Sequence, residues 1–211
     1  MIEPYPLNIL LKNKAIAVIG GGKIAERKIL GLLDTGAIIR VVAPKATKKI
    51  KSLAAKKKVV LNLRDFVHDD LNGNLLIFAA TNSDEVNKQV ARSARKRGIL
   101  VNCVDNPKEC DFFVPSFFRR GSFLLAISTG GKIPALSKTI RRDIERSYGA
   151  LFAEYVTLLA KVREKIYQKP SLSFQQKKDL IEKLIEINIL SLLKEGKKKE
   201  ASKVIQSFLK G

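Results

Sequence analysis

Three places in the chain combine residue types and spacings that can do chemistry. Residues Ile16-Ala17-Val18-Ile19-Gly20-Gly21-Gly22-Lys23-Ile24-Ala25 run an apolar strand straight into a GxGxxA turn and then a helical pattern. Such a turn calls for positive φ at Gly20 and a bare backbone at Gly22, while the small Ala25 lets helix pack on strand. Free amides and the helix dipole then face an anion, so Gly20, Gly21 and Gly22, with Lys23 and Ile24 opening the helix, are candidates to hold a dinucleotide pyrophosphate. The second place is Asp105, a carboxylate after a strand-like run, with Asn102 three residues before it and Pro107 stiffening the turn. It suits a general base that accepts a proton while a hydride leaves to nicotinamide, and it equally suits an Asx turn or helix cap; Asp111 is the weaker competitor for the role. The third is Ser128-Thr129-Gly130-Gly131, ahead of a helix opened by Pro134. Backbone amides there form either an anion nest, with Lys132, Lys138 and Arg141 nearby, or a plain glycine turn capped by Ser128 or Thr129.

The elements that must position these residues follow from hydrophobic periodicity. Strand-like runs at 15–19, 38–42, 59–63, 75–79, 99–104 and 122–127 alternate with helical stretches, the pattern of a parallel sheet covered by helices. Crossover helices are expected over about 25–35, ending at Gly36, over 46–58, and over 83–97 with Ser83 as N-cap and Gly98 as stop. Residues 1–113 thus read as an α/β, doubly wound, Rossmann-type dinucleotide domain. Beyond it, Asp111 to Arg120 is unusually aromatic and ends in two arginines. After Ala150 the pattern turns wholly helical, with helices expected at about 150–167, 173–194 and 198–209. Ser173 with Gln176 makes a capping box, and Gly196 a break.

Composition narrows the function classes. The chain has 211 residues, 45% hydrophobic and 28% charged, enough to bury a core without staples. No apolar run approaches a bilayer span, and the first residues show no basic region followed by an apolar stretch, so a cytoplasmic protein without membrane partners is expected. Cys103 and Cys110 form no CxxC pair and read as reduced thiols; His68 is the only histidine and reads as a loop residue, so no metal site and no Ser-His-Asp mechanism is expected. Forty Lys and Arg against twenty Asp and Glu give a net charge of +20, a field that attracts polyanions: nucleic acid, an acidic surface or a substrate carrying many carboxylates. A Lys-rich solvated surface explains the same count. No helix-turn-helix or aromatic RNA-binding strand is visible, which argues against nucleic acid.

Ligands of open α/β sheets bind beyond the carboxyl ends of the strands. There the chain places the glycine turn, Ala43-Pro44-Lys45, Ala80-Thr81-Asn82 and Asp105-Asn106-Pro107. The usual acid for the adenosine ribose is missing after the second strand, and Lys45 tolerates a ribose phosphate, so NAD and NADP both stay open.

Taken together, Gly20-Gly21-Gly22-Lys23-Ile24-Ala25-Glu26-Arg27-Lys28, Ala79 to Asn82 with Asn87, Val101 to Asp105, Phe112 to Ser116 and Ser128-Thr129-Gly130-Gly131 resemble the precorrin-2 dehydrogenase family, the siroheme synthase N-terminal module. The likeness is collinear over residues 4 to about 150, and the helical tail matches in character and length only. The resemblance implies NAD-dependent oxidation of precorrin-2 to sirohydrochlorin, a tetrapyrrole ringed by carboxylates, with Asp105 as general base. It implies NAD held by the glycine turn with Pro44 and Lys45; strand-end placement adds Thr81 and Asn82 to the cofactor candidates, and Ser128, Thr129, Gly130, Gly131, Lys138 and Arg141 are the candidates to hold substrate carboxylates. It further implies a homodimer through a segment at 114–149, followed by a helical C-terminal domain at 150–211. Some members also insert ferrous iron into the product; with a single histidine, dehydrogenation alone is the expectation here, ahead of the bifunctional activity. A purely NAD-sensing binding module is the competing reading, and it would need neither Asp105 nor the Ser128 to Gly131 turn.

Overall fold

A computed structural model describes residues 4–104 and 106–210. The chain divides into two compact units, one ending at Val114 and the other beginning at Pro115. The first is built on five strands, β1 (Ala15–Ile19), β2 (Ile38–Val42), β3 (Val60–Asn62), β4 (Leu76–Ala79) and β5 (Leu100–Cys103), all parallel in the order β3-β2-β1-β4-β5. Three helices cross over between them: α1 (Lys23–Leu32), α2 (Lys48–Ala55) and α3 (Asp84–Lys96).

Strand alternation divides the core into two layers. Ile16 and Val18 of β1 face α1 and α2, packing with Ala25, Ile29, Ile50 and Leu53. Ala17 and Ile19 face the other way and pack with Val90, Ala91 and Ala94 of α3. All four β1 residues are essentially inaccessible, which is why this strand carries no polar side chain. Local signals set the ends: Gly36 (φ 73°) and Gly98 (φ 67°) follow α1 and α3 in the left-handed region, and the Ser83 hydroxyl accepts from Val86 N at 3.3 Å.

The second unit opens with an antiparallel pair, β6 (Ser116–Arg120) and β7 (Phe123–Ile127), joined through Gly121 at φ 58°. The aromatic stretch before Arg120 is therefore a strand, one that its residue pattern does not announce. The helices are α4 (Pro134–Ser147), α5 (Ala150–Tyr167), α6 (Phe174–Glu186), α7 (Ile189–Lys194) and α8 (Lys198–Lys210). The helix expected at 173–194 is broken at Ile187, whose backbone is extended (ψ 130°). On one straight helix Leu184 and Ile189 would point about 140° apart. The break lets Leu184, Ile189 and Leu193 all enter the core shared with Val162, Ile166, Ala201 and Ile205. The expected Ser173–Gln176 capping box is formed. Among the described residues no helix is long and apolar enough to cross a membrane.

Candidate functional site

The order β3-β2-β1-β4-β5 places a topological switch between β1 and β4, where the crossovers leave to opposite sides and a crevice opens at the carboxyl ends of the strands. A cavity of about 700 Å³ occupies it. The β1 end contributes Ile19 to Gly22, the β2 end Val42 to Thr47, the β3 end Asp65 and Phe66, the β4 end Ala80 to Ser83, and α3 adds Val86 and Gln89.

The three glycines of the β1 turn differ in what demands them. Gly20 has φ 127°, and a Cβ there would stand 2.2 Å from the Ala80 carbonyl oxygen. At Gly21 a Cβ would come within 2.1 Å of the Lys45 carbonyl oxygen. These two are required by the protein's own backbone. Gly22 has an ordinary φ of −81° and nothing within 4 Å of an added Cβ. It is the N-cap of α1, no side chain among the described residues caps that helix, and it borders the cavity. The space in front of Gly22 and the uncapped amides behind it are what a diphosphate needs, so the residues present fit a dinucleotide.

The β4 loop is held by Asn87, a buried side chain of α3. Its Oδ1 accepts from Thr81 N at 3.0 Å and lies 2.8 Å from the Thr81 hydroxyl, while its Nδ2 donates to Thr81 O at 3.1 Å. Thr81 and Asn82 thereby stay at the cavity wall. Of the residues expected at a cofactor, Gly20, Gly21, Gly22, Pro44, Lys45, Thr81 and Asn82 line the cavity. Lys23 and Ile24 do not: the Lys23 ammonium is turned to solvent 3.8 Å from Glu26, and Ile24 packs partly buried on the core. Asp65, Phe66 and Gln89 were not anticipated. Applying the strand-end rule to β3 would have found the first two. Gln89 is steadied by His68, whose Nε2 lies 3.2 Å from the amide nitrogen and whose Nδ1 lies 3.0 Å from the Ser93 hydroxyl.

Asp105 lies outside the described residues. The segments around it are tightly tied: Val104 N donates to Ala79 O at 2.9 Å, and Asn102 Nδ2 donates to Phe112 O at 2.9 Å. Asp111 has a structural task, since its carboxylate accepts from Val101 N at 3.0 Å and from Arg95 Nε at 3.1 Å. Arg95 also donates to Glu109 at 2.6 Å. Burial pushes the Cys103 thiol up to about 11, with neighbouring Cys110 adding to it, so neither sulfur is a ready thiolate at neutral pH. No group of three metal-ligating side chains occurs among the described residues.

In the second unit the Ser128 to Gly131 turn has Gly130 and Gly131 at φ 61° and 80°. Its amides are largely engaged within the turn: Gly130 N donates to the Ser128 hydroxyl at 3.1 Å, Ile133 N to the Thr129 hydroxyl at 3.1 Å, and Lys132 N to Thr129 O at 3.1 Å. An open nest of several unpaired amides is therefore not what the backbone presents; the capped glycine turn is. Arg141 pairs with Glu145, which also accepts from Arg120 at 2.9 Å, whereas Lys138 is exposed with no partner among the described residues.

Comparison with known proteins agrees with this architecture. A family model described as "Putative NAD(P)-binding" matches residues 7–116. Siroheme synthase of Methylobacillus flagellatus is 33% identical over the whole of this chain and 45% of its own length, and that of Methylococcus capsulatus is 38% identical over 79% of this chain and 35% of its own. The chain thus spans less than half the length of these relatives. A solved structure, "SirC, precorrin-2 dehydrogenase", is 32% identical and superposes with a TM-score of 0.80, covering 97% of this chain and all of that one. Matched through its dinucleotide unit by the family model and through both units by a solved relative, the chain belongs to the precorrin-2 dehydrogenase and siroheme synthase N-terminal family.

Proposed function

We propose that this chain oxidises precorrin-2 to sirohydrochlorin in siroheme biosynthesis, with NAD as the acceptor. One observation above the others carries the reading: the likeness to SirC runs through all of that protein, so it includes the second unit and not the dinucleotide unit alone. Gly22, with open space where a side chain would stand and the α1 amides behind it, would receive the pyrophosphate, and Pro44, Lys45, Thr81 and Asn82 would line the rest. The bound dinucleotide supplies a hydride acceptor. Asp105 takes the proton that leaves the substrate as the hydride departs, so that two electrons and two hydrogens are removed in total. Ser128, Thr129, Gly130, Gly131, Lys138 and Arg141 bind the carboxylates of the substrate, with the two basic side chains rather than free amides as the attracting groups. Within 114–149, Ile133, Leu136 and Ile140 expose apolar surface at helical spacing, which supports a homodimer through this segment. The thiol form of Cys110, donating to Cys103 O at 3.0 Å, suits a reducing cytoplasm.

The test is an anaerobic assay with precorrin-2 and either NAD or NADP, following the product spectrum, alongside the mass in solution by light scattering. Wild type converts substrate with NAD as a dimer, and Asp105→Ala loses about 10²–10⁴-fold in kcat while binding NAD as before. Undiminished turnover by Asp105→Ala removes the assigned base; no NAD-dependent change with wild type removes the activity. Ferrous iron added after conversion asks whether the same chain metallates its product.

A further inference from the structure

The loop after β3 brings a second recognition element to the cavity, one that the glycine turn does not provide. Asp65 and Phe66 line the same space as Lys45, Ala46 and Thr47. Neighbouring strands lie about 4.8 Å apart, so the β2 loop stands one spacing, and the β3 loop about 10 Å, from the glycine turn that receives the pyrophosphate. A nucleoside extends outward in the same order, sugar next to phosphate and base beyond it. The β2 loop therefore meets the ribose and the β3 loop meets the base.

The chemistry of the β3 loop matches that position. Two of its carboxylates differ in what they face. Asp70 is bound in a fork by Arg64, at 2.5 and 2.7 Å, and accepts Val67 N at 2.9 Å. The same guanidinium donates to the Asp65 carbonyl oxygen at 3.0 Å, which fixes the backbone between the two acids. Arg64 is thus paired with Asp70, and the Asp65 carboxylate has no partner among the described residues. A carboxylate only accepts hydrogen bonds. Phe66 beside it is half-buried and is held edge-on to His68 at 5.7 Å between ring centroids, a fixed apolar wall for a flat base.

We propose that Asp65 reads the adenine of the dinucleotide by accepting from its exocyclic amino group, with Phe66 packing against the base. This rests on the dinucleotide reading given above. It locates the cofactor's base recognition in a strand-end loop whose acid has no partner among the described residues. A base carrying a 6-oxo group in place of the amine sets one acceptor against another and is disfavoured.

The experiment is calorimetric titration of wild type, Asp65→Ala and Asp65→Asn with NAD and with its hypoxanthine analogue, in which the 6-amino group is replaced by oxygen. Wild type binds NAD about tenfold more tightly than the analogue, the range of one charge-assisted hydrogen bond at a partly exposed site. Asp65→Ala loses that preference, and Asp65→Asn, which both accepts and donates, binds the two dinucleotides alike and close to the wild-type affinity for NAD. Asp65 is exposed, so melting temperatures stay together across the three proteins. Equal binding of both dinucleotides by wild type, or an unchanged ratio in Asp65→Ala, overturns the role of Asp65 and leaves the dinucleotide site standing. Failure of wild type to bind either one overturns the dinucleotide site itself.

Discussion

Gly20 and Gly22 sit two residues apart and answer to different demands, which single substitutions separate. Alanine at Gly20 would meet the Ala80 carbonyl oxygen at 2.2 Å in a backbone conformation (φ 127°) that side chains resist, so Gly20→Ala should lower stability by about 2 kcal/mol or more. Alanine at Gly22 meets nothing in the protein, and Gly22→Ala should melt within a degree or two of wild type yet bind NAD at least tenfold more weakly. Thermal melts and NAD titrations of the two variants check both statements; equal affinity in Gly22→Ala would remove the pyrophosphate from that position. The residue types of this turn were readable from spacing alone. So were the positive φ expected at Gly20 and the bare backbone expected at Gly22; the demand on Gly21 was not, because it depends on where Lys45 arrives from elsewhere in the chain.

At the scale of elements, the loop after β3 is governed by one ion pair. The hydrogen bonds from Arg64 hold the Asp70 carboxyl below its ordinary value of 3.8, against the opposing effect of burial. Because Asp70 ionises at lower pH folded than unfolded, its contribution to stability is complete above the unfolded value and is lost as pH falls through the folded one. Asp70→Asn should therefore melt several degrees below wild type from pH 5 to 7, with the gap closing as the pH is lowered from about 4 to 2.5; a gap constant over that range would sink this account. This pairing, like the break at Ile187, was not legible in the sequence. The five parallel strands were, since the central runs β1 and β4 are apolar from end to end and β2, β3 and β5 are mostly so, whereas β6 (Ser-Phe-Phe-Arg-Arg) has neither a continuous apolar run nor an alternation. Most of residues 174–194 are good helix formers, Ile187-Asn188-Ile189 less so, and the need to aim Leu184 and Ile189 at one core sets the break there, with Asn188 as the N-cap of α7.

For the whole molecule, the net charge of +20 acts over distances that no single contact does. The proposed substrate, ringed by carboxylates, would be drawn in by this field, and salt would weaken the attraction. The value of kcat/KM for precorrin-2 should fall about tenfold between 0.05 and 0.3 M salt, while kcat at saturating substrate changes little. Stopped-flow or steady-state assays across that range test it, and a flat response would return the excess of lysine to simple solvation. The charge itself was plain from composition, but its object was not: only the family likeness supplied a polyanion for it to attract.

The Cys110 thiol ties Cys103 to Asn106, accepting from Cys103 N at 3.2 Å and donating to Cys103 O at 3.0 Å, with Asn106 O at 3.4 Å. A half-buried sulfur so engaged, with its proton held more firmly than usual, reacts slowly with alkylating reagents. The rate of Cys110 alkylation, readable by mass spectrometry without any introduced label, thus reports how firmly these bonds to Cys103 and Asn106 hold.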